Sequence, residues 1–180
     1  NGHCGYPDDR EDYWIPAMGN VDLPELNGKS LWPNNYCLGE IECAIGTKLL
    51  ERADQMNKEK RDRAMIFIDA LSDYTELVFH REPSTRHNYH LLVAHVQNGL
   101  RDEFMRRMAY HHGIQCVVQY YPLNRYSFYQ KLGFGDADVP ITDEFFDNMV
   151  SFPFNHLLTD DQITDIITAA RETLDQLRQA

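Results

Sequence analysis

Three groups of residues in this chain could carry chemistry: the run WPNNYCLGEIECAIG at positions 32–46, eight histidines and four cysteines. In the run, Pro33-Asn34-Asn35 forms a turn-prone loop that leads directly into Leu38, Ile41, Ile45 and Leu49. Those four recur three and four residues apart, so they make one stripe of a helix. A polar turn delivered onto a helix start can hold an anion, because the main-chain N–H groups there are unpaired. A helix start with no ligand fits the same spacing. The histidines offer two candidate metal pairs, His87 with His90 and His111 with His112. Alternation along a strand would put the first pair on opposite faces, and adjacent residues on a helix diverge, so neither is expected to ligate. The cysteines, Cys4, Cys37, Cys43 and Cys116, form no C-x-x-C pair. Cys37 and Cys43 are six apart, off a common helix face, which predicts reduced thiols in a cytoplasmic protein rather than a disulfide framework or zinc site.

The elements that must position these residues follow from the apolar rhythm. Residues 1–31 are polar, with scattered Gly, Pro and Asp and the charge run Asp8-Asp9-Arg10-Glu11-Asp12, which predicts an extended arm or loop whose Tyr6, Tyr13 and Trp14 need cover. Residues 32–180 read as one domain. A helix from about Leu38 runs past Asp54 to Leu71, with Met56, Ala64, Ile68 and Leu71 on one side, either as one long helix or as two with a kink. Leu77-Val78-Phe79 and residues 89–96 are rich in β-branched and aromatic residues and read as strands. Residues 98–112 return to helical spacing with Phe104, Met105 and Met108 apolar, and Gly113 closes the helix. Residues 114–120 read as a third strand, 122–135 as irregular, and Thr142 as the cap of a short helix carrying Phe145, Phe146 and Met149. Thr159-Asp160-Asp161-Gln162 has the form of a capping box, followed by Ile163, Ile166, Ile167, Ala170, Leu174 and Leu177 on one stripe. The expected fold is therefore α/β, an α+β two-layer domain. It has a long N-terminal helix and a small, mainly antiparallel sheet with helices packed on one face.

Seventeen basic against 28 acidic residues give a net charge of −11, which argues against nucleic acid or an anionic membrane as partner. No apolar run approaches membrane-spanning length and the polar N-terminus carries no visible signal peptide. With 43% hydrophobic and 12% aromatic residues the chain is globular. The aromatic cluster Tyr120, Tyr121, Tyr126, Phe128 and Tyr129 reads as core or interface packing, not as a platform for bases.

The order of the motifs adds a resemblance. The run at positions 32–46 resembles the segment G-Y-N-Y-R-M-S-E-I-Q-A-A-I-G of the DegT/DnrJ/StrS sugar aminotransferases, with Asn35, Tyr36, Leu38, Glu40, Ile41, Ala44, Ile45 and Gly46 fitting. Cys37 stands in place of Arg, Gly39 in place of Ser or Thr, and Glu42 in place of Gln. Tyr89-His90-Leu91 is similar to S-Y-H-L-Y-V, Arg101-Asp102-Glu103-Phe104 to R-D-x-L, and Tyr121-Pro122-Leu123 to Y-P-P-L-H. Leu132-Gly133-Phe134 is similar to L-G-Y, and Ser151-Phe152-Pro153-Phe154 to S-L-P-L. The series runs in order from about Pro33 to Leu177.

That family is made of pyridoxal-phosphate (PLP) enzymes of the fold type I, aspartate aminotransferase superfamily. The resemblance implies that Asn35 reaches the cofactor phosphate of a neighbouring subunit, where the alternative is a turn residue satisfying its own backbone. It also places Tyr121 and Asn124 near the substrate, with Asn124 and Gln119 standing where the family has histidines. Such an enzyme needs a lysine amine to bind the cofactor covalently. None of Lys29, Lys48, Lys58, Lys60 and Lys131 has the family's S-F before it and Gly-rich run after it. The chain thus resembles the C-terminal domain without the cofactor-lysine domain, with PLP expected in the full-length family and no cofactor for this chain alone. Whether it is an enzyme stays open. The alternatives are one subunit of a split aminotransferase whose partner chain supplies the lysine, or a stand-alone dimerising or regulatory module. A homodimer is the expected assembly; the alternatives are a partner chain carrying the cofactor domain, or a monomer with residues 1–31 folded back over the apolar patch.

Overall fold

The computed structural model describes residues 38–80 and 87–179 in full, and 25–26 and 29–30 by their main chain. Asn35, Trp14, Trp32, Cys4 and Cys37 lie outside the described residues. In chain order the elements are β1 (Glu25–Leu26), β2 (Lys29–Ser30), α1 (Glu40–Leu50), α2 (Ala53–Ala70), β3 (Leu77–Phe79) and β4 (Leu92–Val96). They continue with α3 (Arg101–His112), a 3-10 turn (Leu123–Arg125), α4 (Ser127–Lys131), α5 (Pro140–Asn148), β5 (Met149–Phe152) and α6 (Asp160–Arg178). β1 and β2 pair antiparallel, a short ladder inside the stretch expected to be a loop.

The stretch from residue 40 to 70 is two helices, not one. At the break Arg52 N–H reaches back only three residues, to Leu49 O at 3.0 Å, and the i→i−4 ladder stops. α2 then buries Ala64, Phe67 and Ile68, and Leu71 beyond its end is fully buried. The stripe of α1 behaves differently. Leu38, Ile41, Ile45 and Leu49 are all exposed, and no residue of α1 is buried.

The main sheet has the order β3-β4-β5 and is antiparallel throughout. Leu77 pairs Val96 across β3 and β4, and Leu92 pairs Phe152 across β4 and β5. Alternation along β4 turns Leu92, Ala94 and Val96 into the core and leaves Val93 and His95 on the outer face. α3 supplies Phe104, Met105 and Met108 to that core, and α6 supplies its stripe from Ile163 to Leu177. Phe152 is the central contact: its ring meets Phe67 at 6.3 Å, Phe79 at 5.8 Å and Phe104 at 6.0 Å.

Three boundaries differ from the sequence expectation. Residues 114–120 do not form a strand of the ladder. Only Val117 pairs with Ser151, and the next N–H that could extend the pairing, that of Gln119, goes to the Met149 sulfur at 3.2 Å. The third strand is instead β5. The second strand begins at Leu92 rather than Tyr89, because side chains intercept the main chain before it. Tyr89 N–H donates to His87 Nδ1 at 3.0 Å and His90 N–H to Asn88 Oδ1 at 3.1 Å, while Tyr89 sits at φ +44°. His87 and His90 therefore belong to a turn, not to two faces of a strand. α5 is started by Pro140 at its first position after Val139, where a missing N–H costs nothing, and Thr142 caps nothing. The capping box of α6 forms as expected: Gln162 N–H donates to Thr159 Oγ1 at 3.2 Å and Thr159 N–H to Gln162 Oε1 at 3.0 Å.

Candidate functional site

The segment that could hold a ligand starts where α3 stops. Gly113 takes φ +67°, a left-handed conformation that a residue with a Cβ rarely adopts, and Ile114 N–H closes on Met108 O at 2.9 Å. The chain then runs extended past β5 and delivers residues 121–125 alongside α5. Tyr121 is half-buried and is held edge-on by Tyr126 at 4.8 Å and Phe146 at 5.3 Å. Tyr126 contacts Tyr129 in turn, and Tyr129 contacts Phe128, so these four rings of the aromatic cluster pack on one another, whereas Tyr120 is exposed.

Phe146 is the pivot of this corner. Arg125 lies 5.2 Å over its ring and Arg101 lies 5.5 Å from it. Arg101 is buried, a position a guanidinium tolerates only when its donors are satisfied. Its Nη1 donates to Phe146 O at 2.9 Å and Met149 O at 3.1 Å, joining the end of α5 to β5. Its Nε meets Asp102 Oδ1 at 2.5 Å. Arg125 pairs with Asp143 at 2.6 Å and Asp147 at 3.0 Å, two carboxylates one turn apart on α5. Asp147, with Asp143 behind it, raises the Arg125 pKa above its ordinary value.

Asn124 and Thr142, which adjoin Arg125 and Asp143 in sequence, belong to an open cleft of about 540 Å³, lined by Leu123, Asn124, Tyr129, Phe134, Ala137, Val139 and Thr142. Gly133 at φ +86° makes the turn that brings Phe134 to it. The lining is apolar apart from the Asn124 amide and the hydroxyls of Thr142 and Tyr129. Asn124 Nδ2 makes a long hydrogen bond to Ala137 O, 3.4 Å. No histidine, lysine or carboxylate lines the cleft. Such a surface is suited to binding and orienting a ligand. A second cleft of about 310 Å³ lies over the outer sheet face, between Val78, His80, Val93, His95 and Phe145, with the His95 ring 4.7 Å from Phe145.

The expected substrate residues thus separate. Asn124 reaches the cleft wall, whereas Tyr121 turns into the packing around Phe146. The Arg125–Asp143–Asp147 cluster and the Phe134 wall were not among the expected site residues. Arg125 adjoins Asn124 in sequence, but its partners lie 18 and 22 residues away and no local pattern announces them. Among the described residues no three His, Cys, Asp or Glu side chains are grouped to hold a metal. Cys43 is exposed, and full burial pushes the Cys116 thiol up to about 12, which keeps it protonated and unreactive.

The described lysines do not fit a covalent cofactor anchor. Lys48 and Lys58 are exposed and paired along their own helices, with Glu51 at 2.8 Å and Asp62 at 2.6 Å. Neither cleft is lined by a lysine.

Solved structures share this arrangement of elements. Helicobacter pylori PseC, an aminotransferase involved in the biosynthesis of pseudoaminic acid, superposes with a TM-score of 0.68 at 20% identity over 86% of this chain and 43% of its own. The sugar aminotransferase CalS13 from Micromonospora echinospora gives 0.65 at 22% identity over 78% and 37%. The fold is thus that of part of a fold type I aminotransferase. A model of the DegT/DnrJ/EryC1/StrS aminotransferase family matches residues 17–171, and the chain belongs to that family. Among curated relatives, the spore coat polysaccharide biosynthesis protein SpsC of Bacillus subtilis is 26% identical over 140 residues, 74% of this chain and 36% of the relative. The UDP-4-amino-4,6-dideoxy-N-acetyl-beta-L-altrosamine transaminase of Campylobacter jejuni is 29% identical over 137 residues, 69% of this chain and 36% of the relative. The chain spans little more than a third of the length of these relatives.

Proposed function

We propose that this chain is the C-terminal part of a PLP-dependent sugar aminotransferase, working in the cytoplasm and inactive by itself. The parent reaction would pass an amino group from glutamate or glutamine to a keto-sugar nucleotide or ketocyclitol. The observation that carries the reading is the family match over residues 17–171 in a chain whose described lysines are solvent-facing or lie away from both clefts. In this role the domain supplies shape. Asn124 and the Phe134 wall offer a sugar-sized, mostly apolar recess with an amide to orient a hydroxyl, and Arg125 holds the recess against α5. Asn35 is assigned to a cofactor phosphate by family resemblance, on the neighbouring subunit.

The test is direct. Purified chain is incubated with PLP, reduced with borohydride and weighed by mass spectrometry. The expected result is no stoichiometric pyridoxyl adduct at any one lysine and no transamination of a keto-sugar nucleotide. A single-site adduct with turnover would overturn the reading. The exposed face of α1 favours a second role on the same scaffold, as a split-enzyme subunit whose partner chain carries the lysine or as a dimerising module. Restored turnover on adding a lysine-bearing partner chain would favour the split enzyme.

A further inference from the structure

We propose that the smaller cleft, over the outer face of the sheet, binds a small organic carboxylate with an apolar body, at a site separate from the recess assigned to substrate. Antiparallel register sets Val78 directly opposite His95. Residues two apart on a strand share a face, so Val78, Val93 and His95 make the floor, and His80 follows one residue beyond β3. Phe145 of α5 stands over them, its ring edge-on to His95 at 4.7 Å. Both imidazoles are held, yet their nitrogens are unused. His80 tilts against His87 at 5.3 Å, and His87 is itself fixed by accepting the Tyr89 N–H at Nδ1, 3.0 Å away. Among the described residues neither His80 nor His95 makes a hydrogen bond or ion pair. An imidazole always carries at least one N–H, so the cleft of about 310 Å³ offers two donors and no lining carboxylate to occupy them. A carboxylate takes both at once, one on each oxygen, and charge-assisted bonds of that kind are about twice as strong as neutral ones. The net charge of −11 repels an anion at a distance, so short-range contact has to hold it. Val78, Val93 and Phe145 supply that contact only to a ligand with an apolar body.

Benzoate, benzamide and acetate, titrated into the full chain at neutral pH, test this by calorimetry and by the ring signals of its eight histidines in nuclear magnetic resonance. Benzoate is expected to shift the rings of His80 and His95, assigned through their backbone signals, in a saturable way. It should bind about tenfold more tightly than acetate, which lacks the apolar body, and than benzamide, which lacks the charge. His95→Phe keeps an aromatic ring beside Phe145 and removes the donor, so benzoate affinity should fall about tenfold with unchanged circular dichroism. His95→Gln restores a donor and should recover part of that loss. Phe145→Ala should weaken benzoate and leave acetate as it was. The wild-type shifts decide the matter even where a variant fails to fold. Benzoate shifts confined to other histidines, benzamide binding as well as benzoate, or no saturable shift at concentrations on the order of 10 mM would overturn the proposal.

Discussion

Glu76 and Arg178 show how one side-chain pair ties the two ends of the described core together. Arg178, in the last turn of α6, meets Glu76 Oε1 and Oε2 at 2.7 Å each and lies 4.6 Å over the Tyr74 ring. The Arg178 hydrogen bonds hold the Glu76 carboxyl down at about 2, against 4.5 ordinarily. A depressed carboxylate pKa adds stability that is present above the unfolded value and lost as pH falls through the folded one. Glu76→Gln should therefore melt a few degrees lower at neutral pH, the gap to wild type closing between about pH 4.5 and 2; a constant gap across that window would assign the effect to packing. Arg125 is the residue whose loss should be felt at the cleft. Its removal leaves Asp143 and Asp147 facing each other across one turn, so Arg125→Ala should cost about 1–2 kcal/mol in denaturant melts, more than Asp147→Ala.

Among the elements, α6 and α1 are opposites built from similar apolar counts. α6 is capped at Thr159 and buries Ile163, Ile166, Ile167, Ala170, Leu174 and Leu177 against α3 and the sheet. Thr159→Ala should cost about 1 kcal/mol, the usual loss for an N-cap. Leu174→Ala should cost about 2–5 kcal/mol, because the side chain is fully enclosed and its cavity cannot collapse. Urea melts of the two variants separate cap from core; equal and near-zero shifts would show that α6 is not packed as described. β5 is the other decisive element. All four of its residues are buried, between β4 on one side and the Val117 bridge on the other.

On the scale of the whole molecule, every buried residue among those described lies at Ala64 or beyond, so the core forms without α1. A chain shortened to begin at Ala53 should keep a single cooperative melt, which calorimetry reads; loss of cooperativity would show that α1 is needed to hold the core.

The sequence by itself determined what depends on neighbours along the chain. The capping box at Thr159, the left-handed turn at Gly113 and the stripes of α2, α3 and α6 are short-range patterns, and each formed where its residues stand. The ordered motifs from Asn35 to Phe154 also carried the family, which the match over residues 17–171 bears out. What tertiary structure decided were choices between equally good local options. Residues 114–120 have the composition of a strand, yet only Val117 makes a β-bridge, because β5 occupies the place beside β4 and Gln119 N–H is taken by the Met149 sulfur. The stripes of α1 and α6 look alike in one dimension; only the position of the sheet buries one and leaves the other in water. Tyr121 and Asn124 sit three residues apart, and it is Phe146, brought in from α5, that draws the tyrosine into packing and leaves the asparagine on the cleft. Periodicity says that a face exists, and long-range contacts decide what that face meets.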